Sequence, residues 1–321
     1  NSRVKLSNVD DCINNNYIKK GQIPVQIAAK QLVEDNIDIL HTIGGDDTNT
    51  TANDLVQYLK DNRYDLTVVG MPKTIDNDII PIKQTLGAYT AADQTSVFFK
   101  NIVNENTTSS RQLIIHEVMG RNCGWLAAYS SFIYMSDLES QLFFPEIDLL
   151  KDKWKIHGLY IPERKFDLES ESIRLKACMD KYDCVNIFLS EGAGVENIIS
   201  EMKLKGEDIP TDAFGHIRLD EINPGKWYAD YFKKTLNADK VLVQKSGYFS
   251  RSSKPNKKDL KLINNHAELA VECAIKKQSG VIGIDENNDK LLCIDFSRIK
   301  GGKKFNVESK WFNELIEKIE S

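Results

Sequence analysis

Two short apolar segments of the chain each lead into a loop that is rich in aspartate, threonine and asparagine. The first covers residues 37–43 and ends at Gly44, and the second covers residues 66–70 and precedes MPKTIDND. Between them, residues 50–62 carry apolar side chains at helical spacing, at Ala52, Leu55, Val56 and Leu59. Parallel strands bring their carboxyl ends to the same sheet edge, so we expect the two polar loops to be neighbours.

The rest of the chain alternates between patterns typical of helices and of strands. The periodicity predicts helices over residues 24–36, 87–103, 123–135, 169–181, 197–205, 224–236, 259–277 and 309–319. It predicts strands over residues 113–118, 141–144, 158–161, 184–190 and 240–245, and a hairpin of 281–285 with 290–296. Asn122 is expected to cap the 123–135 helix, and Asn223 the helix that begins at Pro224. Strands that alternate with helices favour an α/β fold with a mostly parallel sheet.

Composition and charge narrow the class of protein. The 321 residues are enough for two domains, and 41% hydrophobic with 28% charged residues is ordinary for a soluble enzyme. A net charge of −5 gives no support to nucleic-acid binding. No apolar run approaches the roughly 18 residues of a membrane span, and the opening NSRVKLSNVDD lacks the apolar stretch of a secretory signal. The six cysteines form no CxxC pair, so we expect reduced thiols in a cytoplasmic protein.

The two polar loops hold the chemistry that the residue types alone suggest. Gly44 and Gly45 would let the backbone approach a phosphate closely, and Asp46 supplies a hard oxygen that suits Mg²⁺. An alternative role for Asp46 is to cap the following helix. Asp76 is a candidate base that takes the proton of an attacking hydroxyl, with Asp78 beside it, although a loop cap is possible for either. Four acids around one lysine suit a metal ion and a transferring phosphoryl group.

Five motifs, in order along the chain, make the resemblance specific. They are GGDD at 44–47, PKTIDND at 72–78, MGR at 119–121, SEG at 190–192 and GYFSR at 247–251. Together they resemble the phosphofructokinase family, and Asp47 with Lys73 resembles its pyrophosphate-dependent branch. In ATP-using relatives a glycine stands at the position of Asp47 and leaves room for the α-phosphate. A carboxylate there would exclude ATP by size and by charge, while Lys73 would neutralise charge on pyrophosphate.

The resemblance also implies a set of functional residues. Asp76, Lys73 and Asp47 would be catalytic, and Asp46 would hold Mg²⁺. Residues implied for the phosphoryl donor are Gly44, Gly45, Asp47, Thr48, Lys73 and Arg3. Those implied for the sugar phosphate are Thr74, Ile75, Asp76, Asp78, Met119, Gly120, Arg121, Glu191, His216, Tyr248 and Arg251. His216 could equally be a hydrogen-bonded structural histidine.

Three departures from the family pattern limit what the resemblance implies. An arginine seven residues before the methionine of MGR is replaced by Gln112, with Arg111 one position away. Another arginine, usual before the Gly-His pair, has no counterpart in the stretch Pro210, Thr211 and Asp212. We therefore expect other residues to complete the phosphate pocket. The family also begins with an earlier strand and a glycine-rich turn, so we expect that N-terminal strand to be missing from this sequence.

The implied fold is two Rossmann-like lobes with mostly parallel sheets and a site between them. The predicted donor and Mg²⁺ lobe holds residues 1–90 and 218–285, and the predicted sugar-phosphate lobe holds 91–217 and 286–321. The implied reaction is reversible transfer from pyrophosphate to the 1-hydroxyl of fructose 6-phosphate, by a cytoplasmic homo-oligomer, either a dimer or a tetramer. The alternatives are an ATP-dependent phosphofructokinase and a non-catalytic regulatory subunit. Asp47 and Lys73 speak against the first, and the presence of Asp46 and Asp76 speaks against the second.

Overall fold

The computed structural model describes residues 6–211 and 217–320, with the backbone alone for Asp220. Within these residues there are eight strands, most of them apolar segments bounded by polar turns. The strands are β1 Ile39–Gly44, β2 Thr67–Pro72, β3 Gln112–Val118, β4 Gly158–Tyr160, β5 Cys184–Ser190, β6 Lys240–Lys245, β7 Gly280–Asp285 and β8 Lys290–Ile294.

The described residues also form twelve α-helices and four short 3-10 segments. The helices are α1 Val9–Asn14, α2 Pro24–Glu34, α3 Asp46–Asp61, α4 Ala88–Ile102, α5 Trp125–Glu139, α6 Leu168–Tyr182, α7 Val195–Lys205, α8 Leu219–Ile222, α9 Pro224–Thr235, α10 Gly247–Arg251, α11 Lys257–Ile275 and α12 Lys310–Glu320. The 3-10 segments are Val103–Thr107, Pro145–Ile147, Lys151–Trp154 and Phe296–Arg298. Among residues 6–211 and 217–320, no helix is both long and apolar enough to cross a membrane.

The chain divides into two compact units, and the first is Asn1–Tyr89 with Pro255–Lys303. Its sheet has the order β1-β2-β7-β8, with β1, β2 and β7 parallel and β8 antiparallel to β7. Gly44 lies opposite Pro72 in the β1–β2 ladder, so both strands end at the same level. The expectation that the two polar loops are neighbours is therefore confirmed. The core beneath them includes Leu55, Val68 and Ile79.

The second unit is Thr90–Lys254 with Lys304–Ser321. Its sheet has the order β4-β5-β3-β6, and all three ladders are parallel. Strands β3 and β5 are buried along their whole length, as expected for a parallel sheet covered on both faces. Val118 lies opposite Ser190, and Glu117 lies opposite Lys245. MGR, SEG and GYFSR therefore all leave the sheet at one edge.

The predicted α/β class is confirmed, but the two units differ from the predicted lobes. Residues 218–254 belong to the second unit because β6 pairs with β3. Residues 286–303 belong to the first unit because β8 pairs with β7. The sequence of an isolated strand does not identify its partner, which explains both errors.

Several local predictions are also wrong. Asp46 and Asp47 belong to the first turn of α3 and not to a loop, since that helix begins four residues before the predicted 50–62 segment. Residues 141–144 form no strand, and Phe144 makes only an isolated bridge with Leu149. Helix α5 begins after Gly124 without a side-chain cap, so Asn122 is not its cap. Asn223 occupies the predicted cap position of α9, but it has a left-handed conformation and makes no side-chain capping bond.

Candidate active site

The first acidic cluster lies where β1 passes directly into α3. Gly45 is the residue before the helix, and Asp46 and Asp47 occupy its first turn, where the partial positive charge of the helix N-terminus favours acids. A side chain at Gly44 would collide with that of Thr48, so glycine is required there. Buried Asn49 donates to the carbonyl oxygens of Gly44 and Gly45, at 3.0 and 2.7 Å. A buried side-chain amide therefore fixes the backbone of Gly44 and Gly45.

The second cluster follows β2 and is tied to the first. The Lys73 amide donates to the Gly44 carbonyl oxygen at 2.7 Å, which joins the two loops at their start. Further along, the Asp76 amide donates to Thr74 Oγ1 at 3.2 Å. Thr85 stabilises the loop, because its Oγ1 donates to the Thr74 carbonyl at 2.8 Å. The backbone around Asp76 is therefore held at both ends.

Asn77 lies between the two acids of this loop and is 2% exposed. Its φ of 54° is in the left-handed region, which asparagine tolerates better than most residues. Its Oδ1 accepts a hydrogen bond from the Thr85 amide at 2.9 Å. Asn77 is therefore buried between two acids, Asp76 and Asp78, that are each only partly buried.

A third segment, residues 300–303, packs on both acidic clusters. The Lys303 amide donates to the Asp78 carbonyl at 2.8 Å, and Lys300 pairs by its backbone with Ile80. Gly301 lies so close to Asp46 that an added Cβ would be 2.8 Å from Asp46 Oδ2. The sequence shows only a basic turn here. Its pairing with a loop more than two hundred residues earlier is not visible in any local pattern.

Lys303 is the residue of this segment that contributes most to the site. It is nearly buried, and its Nζ donates to the Ile82 carbonyl at 2.6 Å and lies 3.2 Å from Glu286 Oε1. Its amide and its ammonium therefore both hold the chain that follows Asp76.

The negative charges of two neighbouring carboxylates raise the proton affinity of Asp78. Burial, followed by the negative charges of Asp76 and Asp46, raises the pKa of Asp78 to about 6, against a smaller opposing effect of Lys303. Asp78 Oδ1 is buried and has no hydrogen-bond partner among the described residues. A site with this much negative charge favours a cation or a donated proton.

These residues fit a Mg²⁺ ion that is shared with a substrate. Within residues 6–211 and 217–320 no group of three or more histidine, cysteine or carboxylate side chains is arranged to hold a metal. Mg²⁺ often binds through only one or two carboxylates together with substrate phosphates and water. Half-buried Asp46, at the end of β1 and within the electrostatic reach of Asp78, can serve in that way.

A cavity of about 810 Å³ lies along the first turn of α3. Its polar wall consists of Gln31, Thr42, Gly45, Asp46, Asp47, Thr48 and Thr51. Its apolar wall comes from α2, β1 and α3. The predicted donor residues Gly45, Asp47 and Thr48 thus line one cavity, and Asp47 is exposed there.

In the second unit, the MGR and SEG motifs at the ends of β3 and β5 are hydrogen-bonded to each other. Ser190 Oγ donates to the Gly120 carbonyl at 2.6 Å, and the Gly120 amide donates to Glu191 Oε1 at 3.4 Å. Gly120 has a φ of 136°, and a side chain there would strike the backbone of Cys123. Burial raises the pKa of Glu191, and the hydrogen bond from Gly120 opposes that shift. Arg121 donates to the Ile217 carbonyl at 2.9 Å.

A second cavity of about 270 Å³ opens beside this pair of motifs. It is lined by Glu117, Val118, Met119, Glu191, Leu219, Lys245, Gly247, Tyr248 and Arg251. Four of these, Met119, Glu191, Tyr248 and Arg251, are predicted sugar-phosphate residues. Tyr248 is 87% exposed, because α10 presents it to solvent. Glu117 and Lys245 were not predicted, since each belongs to a strand pattern and to no motif.

The remaining predictions have different outcomes. Arg3 and His216 lie outside the described residues. Arg111, which lies one position from the place of the family arginine, pairs with Asp180 at 2.9 Å and donates to the carbonyls of Asn237 and Leu236. Gln112 is fully buried on β3. Neither residue reaches the 270 Å³ cavity.

Comparison with known proteins identifies the family. The model of the phosphofructokinase family matches residues 13–274. The chain belongs to the phosphofructokinase family. A protein of Methylomonas methanica named pyrophosphate--fructose 6-phosphate 1-phosphotransferase is 55% identical over 99% of this chain and 78% of its own length. A protein of the same name from Mastigamoeba balamuthi is 52% identical over 99% of the chain and 78% of its own length.

Solved structures support the fold. The crystal structure of a pyrophosphate-dependent phosphofructokinase from Nitrosospira multiformis matches with a TM-score of 0.64 and 18% identity, over 92% of this chain and 72% of that one. One from Marinobacter aquaeolei matches with a TM-score of 0.62 and 20% identity, over 91% of this chain and 71% of that one. At such identities the likeness concerns the fold alone.

Proposed function

We propose that this phosphofructokinase transfers a phosphoryl group between pyrophosphate and the 1-hydroxyl of fructose 6-phosphate. The products are fructose 1,6-bisphosphate and phosphate, as in glycolysis. One phosphoanhydride is exchanged for one phosphoester, so the reaction should run in both directions. The observation that carries the proposal is Asp47, a carboxylate in the first turn of α3 within the wall of the 810 Å³ cavity. The names of the relatives that are more than 50% identical agree with it.

The first unit would hold the phosphoryl donor. Gly44 and Gly45 would let the backbone approach the phosphates, and Thr48 would offer a hydroxyl. Asp47 would occupy the volume that an α-phosphate needs and would repel its charge. Lys73, whose side chain is exposed, would balance the charge of pyrophosphate.

The loop after β2 would carry out the proton transfer. As the 1-hydroxyl oxygen attacks the nearer phosphorus, its proton would pass to the carboxylate of Asp76. The bond from that phosphorus to the bridging oxygen would break, and phosphate would leave with the bonding electrons. Asp78, Thr74 and Ile75 would orient the sugar.

Mg²⁺ would be held by Asp46 together with the donor phosphates. When bound, it would neutralise charge on the phosphoryl oxygens. The cluster of acids around Asp78 supports a cation there, since the nearby negative charges of Asp76 and Asp46 raise the pKa of Asp78.

The second unit would hold the sugar phosphate. Arg251 would bind the 6-phosphate through its planar guanidinium, and Tyr248 would add a hydroxyl. Glu191 would accept hydrogen bonds from sugar hydroxyls, and Arg121 would face the 1-position. Met119 and Gly120 shape the same wall, and His216 would be a further phosphate contact. Membership of the family supports a cytoplasmic homo-oligomer, either a dimer or a tetramer. Sedimentation would measure the size of the assembly.

The experiment is a comparison of two donors. Initial rates with fructose 6-phosphate and saturating Mg²⁺ are measured with pyrophosphate and, separately, with ATP. We expect turnover with pyrophosphate and a kcat/KM for ATP lower by roughly 10³ or more, because Asp47 and a site shaped around the smaller donor both disfavour the nucleotide. Equal or better use of ATP would exclude the assignment of the donor.

A further inference from the structure

A buried acid in the second unit has no part in the proposed function. Glu117, at the end of β3, is 7% exposed. Its Oε2 accepts a hydrogen bond from the amide of Gly225 at 2.9 Å, in the first turn of α9. A side chain at Gly225 would overlap that oxygen, so the helix approaches the acid as closely as glycine permits. The other carboxylate oxygen of Glu117, Oε1, faces a lysine, so both oxygens have partners.

That lysine is Lys245, the last residue of β6. Its Nζ lies 2.9 Å from Glu117 Oε1 and donates to Asn223 Oδ1 at 3.0 Å. An ammonium group has three donors, so within the described residues one N–H remains for another acceptor. Half of the Lys245 side-chain surface is exposed, and the residue lines the 270 Å³ cavity together with Tyr248 and Arg251.

We propose that Lys245 is a further phosphate-binding residue of the sugar site, held in position by Glu117 and Asn223. This inference rests on the proposed function. A lysine fixed by two acceptors loses less side-chain entropy on binding than a free one. It also supplies a cation to a phosphate pocket that neither Arg111 nor Gln112 reaches.

Charge balance supports the same assignment. The walls of the cavity contain two carboxylates, Glu117 and Glu191, and two cations, Arg251 and Lys245. A sugar phosphate carries close to two negative charges near pH 7. With Arg251 alone the pocket would have a net negative charge before the ligand arrives. Lys245 makes it neutral and leaves a donor directed at the ligand.

The alternative is that Lys245 only neutralises buried Glu117. The two roles predict different affinities for the sugar phosphate when Glu117 and Lys245 are both substituted. If Lys245 only neutralises, removing both charges with Glu117→Gln and Lys245→Met restores the local balance and the affinity. If Lys245 contacts the phosphate, the double variant stays weak because the ligand has lost a charge-assisted hydrogen bond.

The test is the equilibrium dissociation constant of fructose 6-phosphate, measured by calorimetry in the absence of a phosphoryl donor. We expect Lys245→Met to weaken binding by about tenfold or more, and the double variant to stay within about threefold of Lys245→Met. Lys245→Arg should recover part of the loss, since it keeps the charge. Lys240→Met is the matched control, because Lys240 lies at the other end of β6 and also pairs with an acid, Glu105.

Two outcomes would overturn the inference. One is Lys245→Met with wild-type affinity, and the other is a double variant with wild-type affinity. Should Lys245→Met fail to fold because Glu117 is left unpaired, the double variant alone decides. If the wild type does not bind fructose 6-phosphate at all, the proposed function fails. If the wild type binds and turns over, and only the Lys245 result is negative, this inference alone fails.

Discussion

At the scale of single residues, Asp76, Asp78 and Asp46 lie in one electrostatic cluster, although two come from the loop after β2 and one from the first turn of α3. The backbone surroundings of Asp76 and Asp46 differ. Asp76 sits on a turn braced by Thr74 and Asn77, and Asp46 sits in a helix turn.

The first prediction concerns Asp76. Asp76→Ser should lower kcat with pyrophosphate by roughly 10² or more, while the KM for fructose 6-phosphate changes little, because only the proton acceptor is lost. Steady-state kinetics measure both constants. Asp61→Ser, at the exposed end of α3, serves as the control. Near-normal turnover in Asp76→Ser would remove this residue from the mechanism.

The second prediction concerns Asp47. Asp47→Gly should increase kcat/KM for ATP by about tenfold and lower it for pyrophosphate, because the variant loses a carboxylate that repels an α-phosphate. We expect no larger gain, since Asp47 is exposed and its charge is screened. Asp47→Asn keeps the volume and removes the charge, and so separates the two causes. If neither variant gains any use of ATP, Asp47 does not exclude it.

The third prediction uses the pKa of Asp78, which is raised from 3.8 to about 6 by burial and by Asp76 and Asp46. Over this interval the folded protein binds more protons at Asp78 than the unfolded chain does. The free energy of unfolding of the wild type should therefore decrease, relative to Asp78→Asn, as the pH rises from about 4 to about 6. Urea unfolding of both proteins without ligands measures the difference. A difference that does not change with pH would contradict the raised pKa.

At the scale of elements, the segment 300–303 pairs by its backbone with the loop that follows β2. The fourth prediction is that Lys303→Met lowers kcat and reduces the free energy of unfolding by about 1–3 kcal/mol, because buried carbonyls and Glu286 lose their partner. Urea unfolding and steady-state kinetics measure the two effects. Lys300→Met is the control, since Lys300 is exposed and pairs through its backbone. A Lys303→Met variant with wild-type kcat and stability would show that this segment does not support the loop.

The elements also show what the sequence could predict. Strands β5 and β6 have the predicted bounds, because each is a run of apolar or alternating residues between polar turns. The start of α3 was missed because its first turn, Asp46 to Asn49, has no apolar periodicity and is initiated by glycine. The contact of Lys303 with Asp78 and that of Lys245 with Glu117 join distant parts of the chain, so no local pattern could predict them.

At the scale of the whole molecule, each unit carries a distinct set of predicted residues. The donor and base residues, 44–48 and 73–78, belong to the first unit, and 119–121, 191 and 248–251 belong to the second. The motifs identified these residues because phosphate chemistry restricts residue type. The division of the chain into units was partly missed, because strand pairing decides it.

The most direct test of the central claim is phosphorus NMR of the reaction in both directions with no nucleotide present. Protein and Mg²⁺ are mixed with equimolar fructose 6-phosphate and pyrophosphate in one tube, and with fructose 1,6-bisphosphate and phosphate at the same concentrations in another. We predict that both tubes reach the same ratio of pyrophosphate to phosphate and the same ratio of the two sugars. A protein that converts neither mixture, yet phosphorylates fructose 6-phosphate once ATP is added, would contradict the pyrophosphate-dependent function.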